Sequence, residues 1–139
     1  MLARASHDIS RDYLHEIRAR GFTARQWRLL GSLWDEKSLT LTELALVIFC
    51  SQSTTTRLVD KLVELGLIER RMDTEDRRKF HVSLTAFGRD RVRGLVALAE
   101  DIELKTLDML GAERATRLKK DLAECIARFG SSSPDEAED

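Results

Sequence analysis

The stretch "SQSTTTR", residues 51–57, carries short hydroxyls, one amide and one guanidinium. On a helix opening at Ser51, with about 100° between successive residues, Leu58, Leu62 and Leu65 share one face with Thr54 and Thr55. Gln52, Ser53 and Thr56 fall opposite, with Arg57 on the flank and Lys61 one turn further on. Such a surface can enter the major groove of duplex DNA N-terminus first. Small polar groups reach base edges without a clash, Arg donates two parallel bonds to guanine, and the helix start favours phosphate, as does Lys61 beyond it. Taken alone, the same residues also describe an ordinary amphipathic helix with a hydroxyl-rich start.

A second stretch, "DTEDRRKFHVSLT" (73–85), opens with a run of three acids and three bases and then alternates apolar and polar. With "LIERRM" before it and "KFHVSL" closing it, the segment reads as a β-hairpin with a charged tip. Other chemistry is poorly supplied. His7, His15 and His81 are scattered, no Ser or Cys stands near a His at a readable spacing, and no Gly-rich phosphate loop occurs. The reading is therefore not an enzyme, with no cofactor and no metal site. Cys50 and Cys125 form no CxxC and read as small buried residues. Cys50, beside "SQSTTTR", also leaves open a redox-responsive regulator.

These groups need elements to hold them. Leu2, Ile9, Tyr13 and Ile17 lie near one face of a first helix over about 2–20, which Gly21 stops. Thr23 can cap a second helix that turns Trp27, Leu30, Leu33 and Trp34 inward. "KSLT" reads as a connector, and Thr42 as the cap of a short helix. Gly66 ends the helix that Ser51 opens. Thr85 caps a long helix to about Leu110 with a sustained apolar stripe from Val92 to Leu110, and Gly111 breaks it before a last helix over 112–129. Leu118, Leu122, Cys125 and Ile126 form one face of that helix. Two helices joined by a tight turn and followed by a hairpin are the parts of a winged helix-turn-helix. The outer helices are more apolar than so small a domain needs, which points to a partner chain.

The chain of 139 residues has net charge -1, unevenly spread: residues 1–50 carry +1, 51–93 carry +3 and 94–139 carry -5. A basic middle is a weak footprint of an anionic partner. No apolar run approaches the roughly 20 residues a membrane span requires, and the first ten residues lack the apolar core of a signal peptide. A cytoplasmic protein with no membrane partner is expected.

The segment from "LTELA" through "TTTRLVDKLVELGLIER" to "DTEDRRKFHVSLTAFG" resembles the winged-helix core of the MarR family of transcriptional regulators. Its last part is similar to the family's wing pattern, Asp-Pro-x-Asp-Arg-Arg followed by Leu-Thr-x-x-Gly. Thr74 stands where Pro is usual, and Thr55 where an apolar residue is usual. The resemblance implies a mainly α fold with a small β-hairpin wing. It implies a single domain over 1–130, with a winged helix-turn-helix lobe at about 23–85 and dimerisation helices at about 2–20, 86–110 and 112–129. Residues 131–139, "SSSPDEAED", read as a disordered tail. The resemblance further implies a homodimer on a pseudo-palindromic operator in double-stranded DNA. Arg78 at the wing tip would enter the minor groove, held by Asp76. Arg77 and Lys79 would lie near phosphates, and Arg70 and Arg71 would approach the backbone from the strand. A narrow minor groove concentrates negative potential and attracts Arg. Members of the family also commonly sense a small aromatic or phenolic acid, which makes His7, Arg11, Tyr13, Trp27 and Arg28 candidate ligand residues; Gly31 stands where some sensors carry Arg.

The expected function is a homodimeric DNA-binding repressor relieved by such an effector. The rival reading, a winged helix used for protein contact, calls for exposed aromatic or apolar anchors. The expected reading face offers Gln52, Ser53, Thr56, Arg57, Arg77 and Arg78 instead.

Overall fold

The computed structural model describes residues 1–74, 76 and 79–129, apart from the side chains of residues 2, 3, 6, 9, 12 and 129. Arg77, Arg78 and the tail expected over 131–139 lie outside the described residues, as do the side chains of Leu2 and Ile9.

Each helix from the second to the fifth begins where a short polar side chain can satisfy open backbone donors. Helix α1 spans Leu2–Ala19 and ends at Gly21, whose φ is 84°. Thr23 caps α2 (Ala24–Glu36) in a reciprocal box with Gln26. A two-residue strand, β1 (Leu39–Thr40), follows, then α3 (Leu41–Ile48). Ser51 caps α4 (Gln52–Glu64), and Gly66 at φ 69° turns the chain into β2 (Ile68–Met72). Strand β3 (Phe80–Leu84) leads to Thr85, the cap of α5 (Ala86–Asp108). Gly111, at φ 76°, separates α5 from α6 (Ala112–Phe129). No helix among the described residues is long and apolar enough to cross a membrane.

Two expectations about the elements are corrected. "KSLT" is not only a connector: Leu39 and Thr40 pair antiparallel with Val82 and His81, giving a three-stranded sheet in the order β1-β3-β2. The cap of α3 is Thr40, not Thr42. The Thr40 hydroxyl accepts from the Glu43 amide, and the Glu43 carboxylate accepts from the Thr40 amide at 2.7 Å. That backbone bond, then the Thr40 hydroxyl, holds the Glu43 carboxyl below its ordinary pKa.

The core lies between α2, α3, α4 and the sheet. Leu29, Leu30, Leu33, Leu44, Ile48, Val59, Leu62, Ile68 and Val82 are shut from solvent. Ile17 of α1 and Val92 and Leu95 of α5 join the same cluster. Beyond Val96, which still packs on this cluster, α5 runs on past Trp27 and Trp34 of α2. Its outer half and α6 keep Leu104, Met109, Leu118, Leu122 and Ile126 exposed. Cys125 on that face is exposed, against expectation, because no described residue covers it. Cys50 is buried, with its thiol 3.5 Å from the Ile48 carbonyl.

Candidate nucleic-acid interface

Helix α4 is oriented by what it buries. Thr55, Val59 and Leu62 are fully enclosed, while Leu58 is half-buried and Leu65 is 52% exposed. The inward face is thus rotated by roughly 60° from the Leu58–Leu62–Leu65 line. Contacts from α3 and β2 select it, and Leu65 sits at the C-cap beyond the last packed turn. Thr55 belongs to packing, with its hydroxyl donating to the Ser51 carbonyl at 3.0 Å. The rotation brings Ser53 and Arg57 to the middle of the outward face and moves Gln52 and Thr56 to one side.

Two recesses flank the helix. One, of about 190 Å³, is lined by Thr40, Leu41, Thr42, Gln52, Thr56, Lys79 and Phe80. There the Gln52 amide donates to the Thr42 hydroxyl at 3.1 Å, and the Thr56 hydroxyl donates to the Gln52 carbonyl at 2.9 Å. The other, of about 540 Å³, is lined by Thr23, Ala24, Arg25, Thr54, Arg57, Leu58 and Lys61. Arg57 and Lys61, expected on the reading helix, are both exposed beside this second recess.

The wing is pinned at its base by Asp73. One carboxylate oxygen accepts from the Asp76 amide at 2.9 Å, and the other lies 2.7 Å from His81 Nε2. The Asp73 amide donates to the Lys79 carbonyl, and the Lys79 amide to the Asp76 carbonyl. Thr74 in place of Pro therefore leaves a loop braced by side-chain bonds. The expected Asp76–Arg78 pair lies outside the described residues. Arg70 pairs with Asp60 of α4 at 2.6 Å, and Arg71 with Glu69 at 2.8 Å. The first of these struts ties wing to helix. His81 was only a scattered histidine by sequence; hairpin pairing alone brings it to Asp73, eight residues away.

The ligand candidates separate. Tyr13 meets Trp27 edge to face, with ring centroids 5.7 Å apart. The Tyr13 hydroxyl is buried with no hydrogen-bond partner among the described residues, and burial raises its pKa well above the ordinary value. A weaker polar interaction with the Trp27 side chain opposes that shift. Arg28 points elsewhere: it donates to the Ile48 carbonyl at 3.3 Å and lies over the Phe49 ring. His7, beside Asp8, and Arg11 are exposed. Sequence reasoning missed a cavity of about 360 Å³ between α1, α5 and α6, walled by Tyr13, Ile102, Leu107, Leu118 and Leu122. Lys119, another of its lining residues, pairs with Glu103 across α5 and α6 at 2.7 Å.

The model of the MarR family matches residues 22–80. The HTH-type transcriptional repressor YetL of Bacillus subtilis (strain 168) is 36% identical over 80 residues, covering 56% of this chain and 48% of YetL. Across the curated relatives it matches, the chain spans 48–62% of their length. A solved MarR family transcriptional regulator from Silicibacter pomeroyi DSS-3 is 33% identical, with TM-score 0.79, covering 92% of this chain and 91% of its own. The structure of NadR in complex with 4-hydroxyphenylacetate shares the fold, with TM-score 0.83 at 23% identity over 89% of this chain and 88% of NadR.

Proposed function

The chain belongs to the MarR family of transcriptional regulators, and we propose that it acts as a homodimer on double-stranded DNA. The observation that carries this reading is α4, held between two open recesses. It presents Ser53 and Gln52 near its start and Arg57 and Lys61 along its outward side, next to a braced wing. Two such helices in a dimer would enter successive major grooves about 34 Å apart, on a pseudo-palindromic site. The wing residues Arg77, Arg78 and Lys79 would reach the flanking minor groove and phosphates, and the Arg70–Asp60 strut would hold wing and helix in one frame. The protein-contact alternative would have to rest on Phe49, Met72 and Phe80, which are exposed at the ends of α3, β2 and β3, whereas the outward side of α4 carries Ser53, Arg57 and Lys61.

A duplex selected from a random pool by the protein tests the reading. The logarithm of its affinity should fall linearly with the logarithm of salt, by about 0.9 for each phosphate neutralised, so steeply for several contacts. A flat salt response would remove the proposal. The dimer is supported by the unpaired apolar face of α6. Sedimentation at micromolar concentration should give a dimer, and Leu122→Asp with Ile126→Asp should give a monomer. A wild-type monomer under those conditions defeats the dimer.

We further propose that it is a repressor released by a small aromatic acid. Support comes from the cavity by Tyr13, whose apolar walls suit a ring, while Lys119 at its edge could turn from Glu103 to a carboxylate. Helix α5 links this cavity to the lobe: Ile102 and Leu107 line it, and Val92 and Leu95 lie in the lobe's core. A ligand there can alter the spacing of two lobes, with a coupling of about 1–3 kcal/mol. Phenolic acids, beginning with the 4-hydroxyphenylacetate held by NadR, should displace the selected duplex, and Tyr13→Ala should blunt the effect. If no aromatic acid changes DNA affinity, the ligand reading fails.

A further inference from the structure

We propose that Arg25, in the first turn of α2, is a phosphate-gripping residue of the DNA interface, closing the second recess opposite Arg57 and Lys61. The inference rests on the DNA-binding reading above and extends it to a helix that neither the recognition-helix nor the wing motif includes.

The recess beside α4 is walled on one side by Thr54, Arg57 and Lys61, and on the other by Thr23 and Arg25. Arg57 and Lys61 are four residues apart, so they stand one above the other on α4. Arg25 faces them from α2. All three are exposed, and none makes an ion pair or side-chain hydrogen bond among the described residues. No carboxylate of a described residue lines the recess. Asp60, the acid nearest Arg57 and Lys61 in the chain, is engaged with Arg70. Four other arginines on the lobe behave differently: Arg70 and Arg71 are matched to acids, and Arg28 and Arg89 lie over Phe49 and Trp34. Three unmatched cations and two hydroxyls around an open recess of about 540 Å³ form a surface that repels itself until an anion arrives.

Its position selects the anion. A helix lodged in a major groove about 12 Å wide has a phosphate backbone on each side. The wing and the first recess, with Lys79, serve one side of α4. The second recess lies on the other side and is where the opposite strand's phosphates must pass. Arg57 can then turn toward base or backbone, while Arg25, rooted on α2, has only the backbone within its reach. Its grip would therefore carry affinity and register without sequence information.

The test compares wild type, Arg25→Gln and Arg25→Lys on two duplexes, the selected one and an unrelated one, over a salt series. Unchanged circular dichroism and melting establish that the variants fold. Each half-site of the Arg25→Gln dimer leaves one phosphate without its cation, so the salt slope should be shallower by about 2. That corresponds to affinity on the order of 30-fold weaker at about 0.15 M salt, similarly on both duplexes. Arg25→Lys keeps a point charge and should retain most of the slope. An unchanged slope in Arg25→Gln overturns the proposal, as does a weakening confined to the selected duplex, which would make Arg25 a base reader. Inorganic phosphate should show no saturable binding that Arg25→Gln abolishes; such binding would reassign the recess to a free anion. Should wild type bind no duplex at all, it is the DNA reading itself that fails, a result distinct from a wild type that binds and a variant that binds equally well.

Discussion

Gly88→Ala should lower the stability of the protein by about 1–3 kcal/mol and shift its urea midpoint down clearly. Gly88 stands in the first turn of α5, and its amide donates to the capping Thr85 hydroxyl at 2.9 Å. That hydroxyl in turn donates to the Gly66 carbonyl at 2.6 Å, and the Thr85 amide to the Leu67 carbonyl at 3.1 Å. The start of α5 is thereby sewn to the turn between α4 and β2. A methyl group on Gly88 would overlap the Leu67 carbonyl oxygen and lie 2.8 Å from its carbon. The obstacle is backbone, so no rotamer change relieves it; α5 must lift away from Leu67. Overpacking typically costs about 1–3 kcal/mol or more, and disrupting the cap adds about 1 kcal/mol. The helical preference of Ala over Gly returns about 1 kcal/mol. A net loss of about 1–3 kcal/mol is a sizeable part of a stability of about 5–15 kcal/mol. Gly94→Ala is the control. A methyl there meets only the Arg20 guanidinium at 3.5 Å, an ordinary contact, so the same change should stabilise. Urea titrations of both read the contrast. Equal midpoints for Gly88→Ala and wild type would discard the close-approach account.

That position shows how much is legible in the chain. Leu-Thr-x-x-Gly is visible as a motif, and Thr85 as a cap, but the reason for Gly lies in Leu67, which sequence does not place beside it. The caps at Thr23, Ser51 and Thr85 are legible because capping is local. The Thr40 cap is equally local, since Thr40 and Glu43 have the capping-box spacing, but Thr42 is as good a cap by residue type and only the box decides between them. Strand β1 is not legible: two residues have no periodicity, and only pairing with Val82 and His81 makes them a strand. The apolar stripe of α4 is misphased in the sequence because Thr55, a polar residue, is fully buried and Leu65 is not. Burial there is decided by α3 and β2, not by residue type. Arg25 carries no local signal whatever; its neighbours Arg57 and Lys61 come from another helix.

On DNA, Arg78→Ala should weaken affinity more than any other single change. In the proposed dimer each lobe would place one Arg78 in the groove, and removing one such arginine should cost on the order of 1–3 kcal/mol, so about 2–6 kcal/mol in all. A side chain at a wing tip gains from binding only what exceeds the entropy of ordering it. Asp73 braces the described parts of the hairpin, accepting from the Asp76 amide and lying 2.7 Å from His81 Nε2. Asp73→Ala should therefore lower the same affinity in part while every DNA-facing group stays in place, and should add little on top of Arg78→Ala, because coupled residues are not additive. Minor-groove reading can be separated from phosphate attraction. Inosine–cytosine pairs keep the minor-groove face of adenine–thymine but change the major-groove pattern; guanine–cytosine adds an amino group in the minor groove. Under the wing, the first replacement should leave the Arg78 contribution intact and the second should erase it. Equal contributions on both duplexes would make Arg78 a phosphate contact, and wild-type affinity in Arg78→Ala would remove the wing tip from the interface altogether.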